Sequence, residues 1–136
     1  MNSAPVLQAI LLADQVYRDA ATGKVIIAGT FNHLWAPGFP TDFGRTTFVY
    51  LSLAELHGTV ELSLRFVNLR DERVLMETTL PPVSSNDPLR GVEIVAEVPP
   101  IPMPAPGAYA FELYAGPERL GALRIQISQA KSQGGS

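Results

Sequence analysis

The two histidines are the side chains best suited to general acid–base chemistry, and neither has a recognisable partner in the sequence. His33 shares the parity of Phe31 and Trp35 in a strand-like segment, and His57 precedes Gly58 in a turn. A zinc site needs about four ligands, and a catalytic triad needs a nucleophile beside an oriented base. No such spacing surrounds either histidine, so we interpret both as structural or surface residues.

Acidic residues gather at predicted turns, where a calcium site would need them. They are Asp14, Asp19, Asp71, Glu72 and Asp87. Calcium takes about six to eight oxygen ligands, whereas each predicted turn supplies only one or two acids. Ordinary turn formation therefore explains these carboxylates better than a metal site does.

A glycosidase pair of Glu61 with Glu93 or Glu97 is a further catalytic arrangement to consider. Each of these glutamates alternates with apolar neighbours, which places it on the solvent face of a strand. The chain has no cysteine and no Gly-x-Ser-x-Gly elbow, so a thiolate or serine nucleophile has no recognisable setting. We therefore predict that the protein is not an enzyme and uses no cofactor or metal.

The loop over residues 35–43 carries the aromatic side chains that most suggest recognition. Trp35, the only tryptophan of the chain, precedes Phe39 and Phe43. Aromatic residues on a loop can anchor a partner or stack on a sugar. They can equally close the open end of a β-sandwich, and both interpretations stay open here. We take Trp35, Phe39 and Phe43 as the candidate partner-binding residues.

The segment over residues 99–106 is rich in proline. The spacing of Pro99 and Pro102 fits a polyproline II ligand of the P-x-x-P form. A stiff crossover between two sheets is the commoner role for such a segment. Because proline has no backbone donor, we expect the segment to stay outside every sheet ladder.

Charge and composition restrict the partners. The formal net charge is -3, with 10 Lys and Arg against 13 Asp and Glu. This lacks the basic surplus that binds nucleic acid or an anionic membrane. The apolar residues 6–13 follow no Lys or Arg and end at Asp14, so they indicate a buried strand and not a secretory signal. The absence of cysteine favours a cytoplasmic protein.

Short segments of alternating apolar and polar residues, separated by turn residues, run through the whole chain. Residues 24–35 are apolar on both parities, which predicts a single strand in the centre of a sheet. Residues 108–115 and 119–127 predict a closing hairpin, with a bulge where Leu120 and Gly121 interrupt the alternation. The Gly-x-Tyr pattern of Gly107 and Tyr109 is that of a tyrosine corner.

These strands predict an all-β protein, an antiparallel β-sandwich of about eight strands with an immunoglobulin-like arrangement. A chain of 136 residues fits one domain. We assign residues 1–5 to an N-terminal leader, residues 6–128 to the sandwich and residues 129–136 to a flexible tail.

The chain also resembles a family of uncharacterised bacterial proteins that is catalogued as a domain of unknown function. The resemblance rests on residues 11–14, the strand 23–29, the Phe39-Pro40 step and the closing hairpin with 106–111 and 120–121. It implies an all-β sandwich and a bacterial source. The motifs are turns and strand starts, so the family supplies no site residues.

The function is reached by elimination. The leading hypothesis is a non-catalytic module that binds a protein partner or associates with itself, through a sheet edge or the loop 35–43. One alternative is a small-ligand carrier or enzyme with a pocket around His33, Tyr50 or Tyr114. Another is a subunit of a larger bacterial assembly.

Overall fold

The structure is a computed structural model, and it describes residues 4–131. Within that range the chain forms thirteen β-strands and no helix. The strands are β1 (Val6–Arg18), β2 (Val25–Phe31), β3 (His33–Ala36), β4 (Thr41–Phe43), β5 (Thr47–Ala54), β6 (Gly58–Val60), β7 (Leu62–Asn68), β8 (Val74–Thr79), β9 (Val83–Ser85), β10 (Val92–Val98), β11 (Ile101–Met103), β12 (Gly107–Ala115) and β13 (Glu118–Gln129).

Nine of these strands form two main sheets. Sheet 1 has the order β10-β5-β1-β2, and sheet 2 has the order β3-β13-β12-β7-β8. Two short ladders, β4 with β11 and β6 with β9, make up the rest. Neighbouring strands are antiparallel except for β3, which runs parallel to β13. The prediction of an all-β sandwich is confirmed, with more strands than the eight expected because several are only three or four residues long.

The strand order is that of an immunoglobulin-like domain. Sheet 1 places β5 beside β10, and sheet 2 places β12 between β7 and β13. Strands B and E, and strands C, F and G, have these same relations in immunoglobulin domains. In sheet 1, β1 lies beside β5 at the position of strand A, and β2 extends the sheet by one more strand. The chain then crosses to sheet 2, where β3 forms an edge.

The core lies between the two sheets, where the alternating apolar residues face inward. Every second residue of β5 is buried, from Thr47 to Leu53. Phe66 of β7 packs against Phe111 and Tyr109 of β12, with ring centroids 4.8 and 5.3 Å apart. Burial of such large side chains supplies most of the driving force for the sandwich.

The tyrosine corner is confirmed at the start of β12. The buried Tyr109 hydroxyl donates a 2.6 Å hydrogen bond to the carbonyl oxygen of Ala105. This bond ties the last turn of the proline-rich segment to the first strand of the closing hairpin. In that hairpin Leu113 faces Gly121 and Tyr114 faces Arg119, so Leu120 is the extra residue of the predicted bulge.

The proline-rich segment does cross from β10 of sheet 1 to β12 of sheet 2, as predicted. The prediction that it joins no ladder is wrong. Ile101, Pro102 and Met103 form β11, which pairs with β4. Proline removes only its own donor, so a short peripheral ladder remains possible. Ile101 and Met103, on either side of Pro102, are buried and hold the segment against the core.

The prediction of one central strand over residues 24–35 is also wrong. The chain forms two edge strands, β2 in sheet 1 and β3 in sheet 2, and it passes between them at Asn32. Phe31 pairs with Leu12 and packs against the core from sheet 1, whereas Leu34 is buried from sheet 2. Apolar residues therefore occur at both odd and even positions of this segment because the chain changes sheet, and not because one strand is buried on two faces.

Most of the predicted leader and tail lies outside residues 4–131. Of the predicted tail, Gln129 is the last residue of β13, and the backbone of Ala130 donates a 2.8 Å hydrogen bond to Ala36. Within the described range, no helix has the length and hydropathy needed to cross a membrane.

Candidate functional site

A cleft opens where the edges of the two sheets meet, between β2 and β3. We call it the edge cleft, and its volume is about 320 Å³. Its apolar lining comes from Phe31, Leu34 and Phe43, and its polar lining includes Asp14, His33 and Arg45, with Trp35 beside them. The cleft therefore combines aromatic surface with one acidic and one basic side chain.

Asp14 reaches the cleft because of the parity of β1. Leu12 faces the core, and Asp14 lies two residues further along on the same side. The pairing of β1 with β5 ends at Ala13, so Asp14 lies past the covered part of sheet 1 and is exposed. A carboxylate is tolerated on the inner side of the sheet at this position because solvent reaches it.

Gly29 makes room for the Asp14 carboxylate. It lies opposite Asp14, between the pairs Ala13–Thr30 and Gln15–Ala28. Its φ of 75° is in the left-handed region, and a Cβ there would lie 2.6 Å from Oδ2 of Asp14. Only glycine satisfies both conditions without strain. The carboxylate consequently lies over Gly29, displaced toward the open edge of sheet 1.

Trp35 is the exposed aromatic residue of the cleft, with 55% of its surface accessible. Its indole stacks on the His33 imidazole, with centroids 3.7 Å apart and planes at 15°. The His33 Nε2 atom forms a 2.8 Å hydrogen bond with the Ser128 hydroxyl of the neighbouring strand β13. On the opposite side of β3, Leu34 and Ala36 are buried and hold the strand against the core. Trp35 is thus exposed to solvent and stacked on a histidine that is itself hydrogen-bonded to the neighbouring strand.

The structure separates the three aromatic residues singled out from the sequence. Phe39 and Phe43 are partly buried and pack against the core, and the Phe43 ring lies 6.1 Å from that of Phe31. They close the end of the sandwich, which was one of the two interpretations. Trp35 alone is left exposed. Phe43 shares the edge cleft with Trp35, whereas Phe39 is not among the residues that line it.

Sequence reasoning missed Asp14, Gly29 and Arg45 as parts of a site. The sequence predicts a turn at Asp14, but this residue lies inside the 13-residue strand β1. The available signal was a charged residue directly after the apolar residues 6–13, together with an isolated glycine in the facing strand. Arg45 carried no signal, because only the fold brings it to the cleft.

Tyr50 and Tyr114, named with His33 for a possible pocket, lie elsewhere. Tyr50 is on the outer face of sheet 1 and bonds to Glu93, and burial, together with that carboxylate, raises its pKa. Tyr114 is on the outer face of sheet 2, where the Arg65 guanidinium lies 4.1 Å from the ring centroid. The three residues therefore do not form one site.

The edge cleft offers stacking and charge pairing. The His33 Nε2 atom bonds to Ser128 and not to Asp14. The imidazole ring is therefore tied to β13, and its face stacks on Trp35. Across residues 4–131, no three His, Asp or Glu side chains come together in a group that could hold a metal ion. A ligand would find an aromatic face, a carboxylate and a guanidinium within one shallow opening.

The strand order, the tyrosine corner and the edge cleft define an immunoglobulin-like β-sandwich with a mixed aromatic and polar cleft at the meeting edges of its two sheets. Residues 8–128 match the model of the Family of unknown function (DUF6941), and the chain belongs to this family. The resemblance proposed from the sequence is thereby confirmed.

Among solved structures, the chain is similar to an immunoglobulin-like protein (PA1606) from Pseudomonas aeruginosa. The two share 12% identity over 93% of this chain and 98% of the other, with a TM-score of 0.44. A comparison with curated proteins found no match. The fold assignment rests on the strand order and the tyrosine corner of this chain.

Proposed function

We propose that this protein is a non-catalytic recognition module that binds a protein partner through the edge cleft, in the cytoplasm of a bacterial cell. The observation that carries the proposal is Trp35, which is 55% exposed but held by its stacking on His33. The indole offers a large apolar face for a partner to cover, and such aromatic side chains dominate interface energetics. A fixed orientation lowers the entropy that binding would otherwise lose.

The surroundings of Trp35 resemble a binding hot spot. Tryptophan and arginine are enriched among the residues that dominate interface energy, and Trp35 and Arg45 line the same cleft. Asp14 adds a carboxylate that would select for a basic group on the partner. The apolar floor of Phe31 and Phe43 would exclude water beneath the contact.

Binding of a small ligand is the second candidate, and the cleft volume favours it. About 320 Å³ is at the lower end of the range for small-molecule sites. A ligand with a flat apolar part and both charges would match Trp35, Asp14 and Arg45. The two candidates predict different sizes for the molecule that covers Trp35.

The single tryptophan allows a direct test, because all indole emission comes from the edge cleft. Extract from the source cells would be divided by ultrafiltration into a protein fraction and a small-molecule fraction. Each fraction would be added to protein biosynthetically labelled with 5-hydroxytryptophan, which can be excited selectively in a mixture. The protein fraction is expected to shift the emission to shorter wavelength.

The matched control replaces an exposed apolar residue elsewhere. Trp35→Ala should weaken retention of the partner in pull-down by about 2 kcal/mol, or roughly 30-fold. Val95→Ala, on the outer edge strand β10, should leave retention unchanged. If only the small-molecule fraction shifted the emission, the molecule bound at the edge cleft would be a small ligand and not a protein. Equal retention by both variants would remove the edge cleft from the function.

A further inference from the structure

The β1–β2 hairpin projects beyond the rest of sheet 1 as a two-stranded arm. Pairing of β1 with β5 ends at Ala13, whereas pairing of β1 with β2 continues to Arg18 and Val25. A hydrogen bond from the Gly23 backbone to Asp19 closes the turn at the tip. We call residues 14–29 the arm. Two-stranded ribbons are marginally stable alone, so a partner along the arm would stabilise it.

The outer edge of the arm lacks the charged residues and prolines that protect most edge strands, although the backbone of Gly29 is in the left-handed region. Strand β2 (VIIAGTF) has no charged residue and no proline over its seven residues. The edge strands β10 and β8 carry Glu93, Glu97 and Glu77, which discourage pairing with another chain. Proteins normally charge, bend or cover an edge strand. An edge of this length without charge is therefore expected to be covered.

Both faces of the arm expose apolar side chains. Tyr17 and Ile26, which pair across the hairpin, are 49% and 48% exposed. On the other face Val16 pairs with Ile27, and both are only partly buried. A second strand ribbon laid beside β2 would continue the sheet and cover part of this surface.

We propose that the arm pairs with the arm of a second copy of this chain, β2 against β2, in antiparallel orientation about a two-fold axis near Ile27. A two-fold axis perpendicular to the sheet places residues of the same parity opposite one another. Centred on Ile27, it sets Val25 opposite Gly29 of the second copy. Gly29 has no side chain to collide there, and Ile27 meets its own counterpart in an apolar contact.

Charge complementarity supports the second copy as the occupant. The Asp14 carboxylate lies over Gly29 and leans toward the open edge, and Arg18 pairs with Val25 in the arm. Strands are spaced by about 4.8 Å, so Gly29 of the second copy lies about two spacings from the Arg18 backbone. The Arg18 side chain can span that distance to reach Asp14 of the second copy.

The two-fold axis forms this ion pair twice. Among residues 4–131, neither Asp14 nor Arg18 takes part in an ion pair within the chain. Among the described residues, the Arg18 side chain donates a 2.7 Å hydrogen bond to the carbonyl oxygen of Gly23, and its charge also acts on the Tyr50 hydroxyl. The edge thus carries a basic group at one end and an acidic group at the other, which is the self-complementary pattern of an isologous interface.

Sedimentation of the full chain tests this proposal. The unmodified protein is expected to sediment as a dimer at micromolar concentration. Ile27→Lys brings two ammonium groups together at the axis and should give a monomer. Val95→Lys, the same kind of change on the edge strand β10, should remain a dimer with unchanged far-ultraviolet circular dichroism.

A charge exchange guards against a variant that simply misfolds. Asp14→Arg and Arg18→Asp should each raise the dissociation constant about tenfold, because each creates two like-charged contacts. The double variant D14R/R18D restores both pairs and should recover the dimer. A monomeric unmodified protein, or a double variant weaker than either single one, would overturn the proposal. Trp35→Ala should leave the sedimentation mass of the dimer unchanged. The test of the dimer is therefore independent of the test of partner binding at the edge cleft.

Discussion

Gly29 and Asp14 work as one unit within the edge cleft. The backbone of Gly29 is in the left-handed region, and the Asp14 carboxylate fills the space where a side chain would begin. The unit explains how an acid is accommodated on the inner side of β1. It also places the carboxylate at the mouth of the cleft, where a ligand or a second arm can reach it.

Gly29→Ala is therefore expected to destabilise the protein by about 1–3 kcal/mol, from backbone strain and from collision with Asp14. Asp14→Ala alone removes the carboxylate and should have a smaller effect. In the double variant the collision is absent, so the cost of Gly29→Ala should fall to the strain alone. Urea unfolding of the four proteins measures this coupling. Strictly additive effects would show that the two residues act independently.

His33 has the separate task of holding Trp35. In His33→Ala the stacking partner and the bond to Ser128 are lost, while β3 keeps its buried anchors Leu34 and Ala36. Time-resolved fluorescence anisotropy should then show faster local motion of the single tryptophan, with little change in the unfolding midpoint. Unchanged motion would mean that the stack does not restrain the indole.

At the scale of elements, the tyrosine corner joins the proline-rich crossover to β12. Tyr109→Phe removes the hydrogen bond to Ala105 and should destabilise the fold by about 1 kcal/mol. Burial raises the pKa of Tyr109 above its ordinary value of 10.0. The stabilisation from the neutral phenol is therefore complete below pH 10 and is lost as the pH rises toward the raised pKa.

The unfolding midpoint in urea, compared at pH 8 and above pH 10, checks this sign. The unmodified protein should lose stability over that interval, and Tyr109→Phe should lose less. Tyr50 has a pKa raised in the same direction, so part of the loss should persist in the variant. An identical loss in both proteins would show that Tyr109 does not contribute.

The sequence correctly predicts those strands in which apolar and polar residues alternate regularly and which remain within one sheet. The closing hairpin and its bulge at Leu120 agree with the sequence pattern. The passage from β2 to β3 could not be found in this way, because a change of sheet at Asn32 leaves the apolar residues on both parities. The ladder of β11 is not predictable from the prolines, because Pro102 lacks only its own backbone donor and leaves Ile101 and Met103 able to pair with β4.

The candidate site was only partly predictable for a related reason. Trp35 could be named from composition, since it is the single tryptophan of the chain. The predicted loop over residues 35–43 was wrong at both ends, because Trp35 lies in β3 and Phe43 in β4. The convergence of Asp14, Gly29 and Arg45 depends on the register between β1 and β2 and on the path of the chain after β4. These are properties of the assembled sandwich, and no local pattern specifies them.

At the scale of the whole molecule, both proposed surfaces lie along one side of the sandwich. That side is formed by the two edge strands β2 and β3. The arm presents an uncharged strand edge, and the edge cleft presents a fixed indole with charged groups beside it. A dimer formed through the arms would carry one edge cleft on each copy, with Asp14 paired to Arg18 of the second copy and with Trp35 and Arg45 left for a partner. Two such clefts would allow bivalent engagement of a repeated partner.

Site-directed photo-crosslinking in the source cells tests the central claim most directly. A benzophenone amino acid replaces Thr30, which lines the edge cleft, and leaves Trp35, Asp14 and Arg45 in place. The same photoreactive residue at Val95 serves as the control. We predict an adduct from position 30 with a protein other than a second copy of this chain. This adduct should be absent from position 95 and should disappear when Trp35→Ala is added. Equal adducts from both positions, or an adduct from position 30 that survives loss of Trp35, would contradict the proposed function.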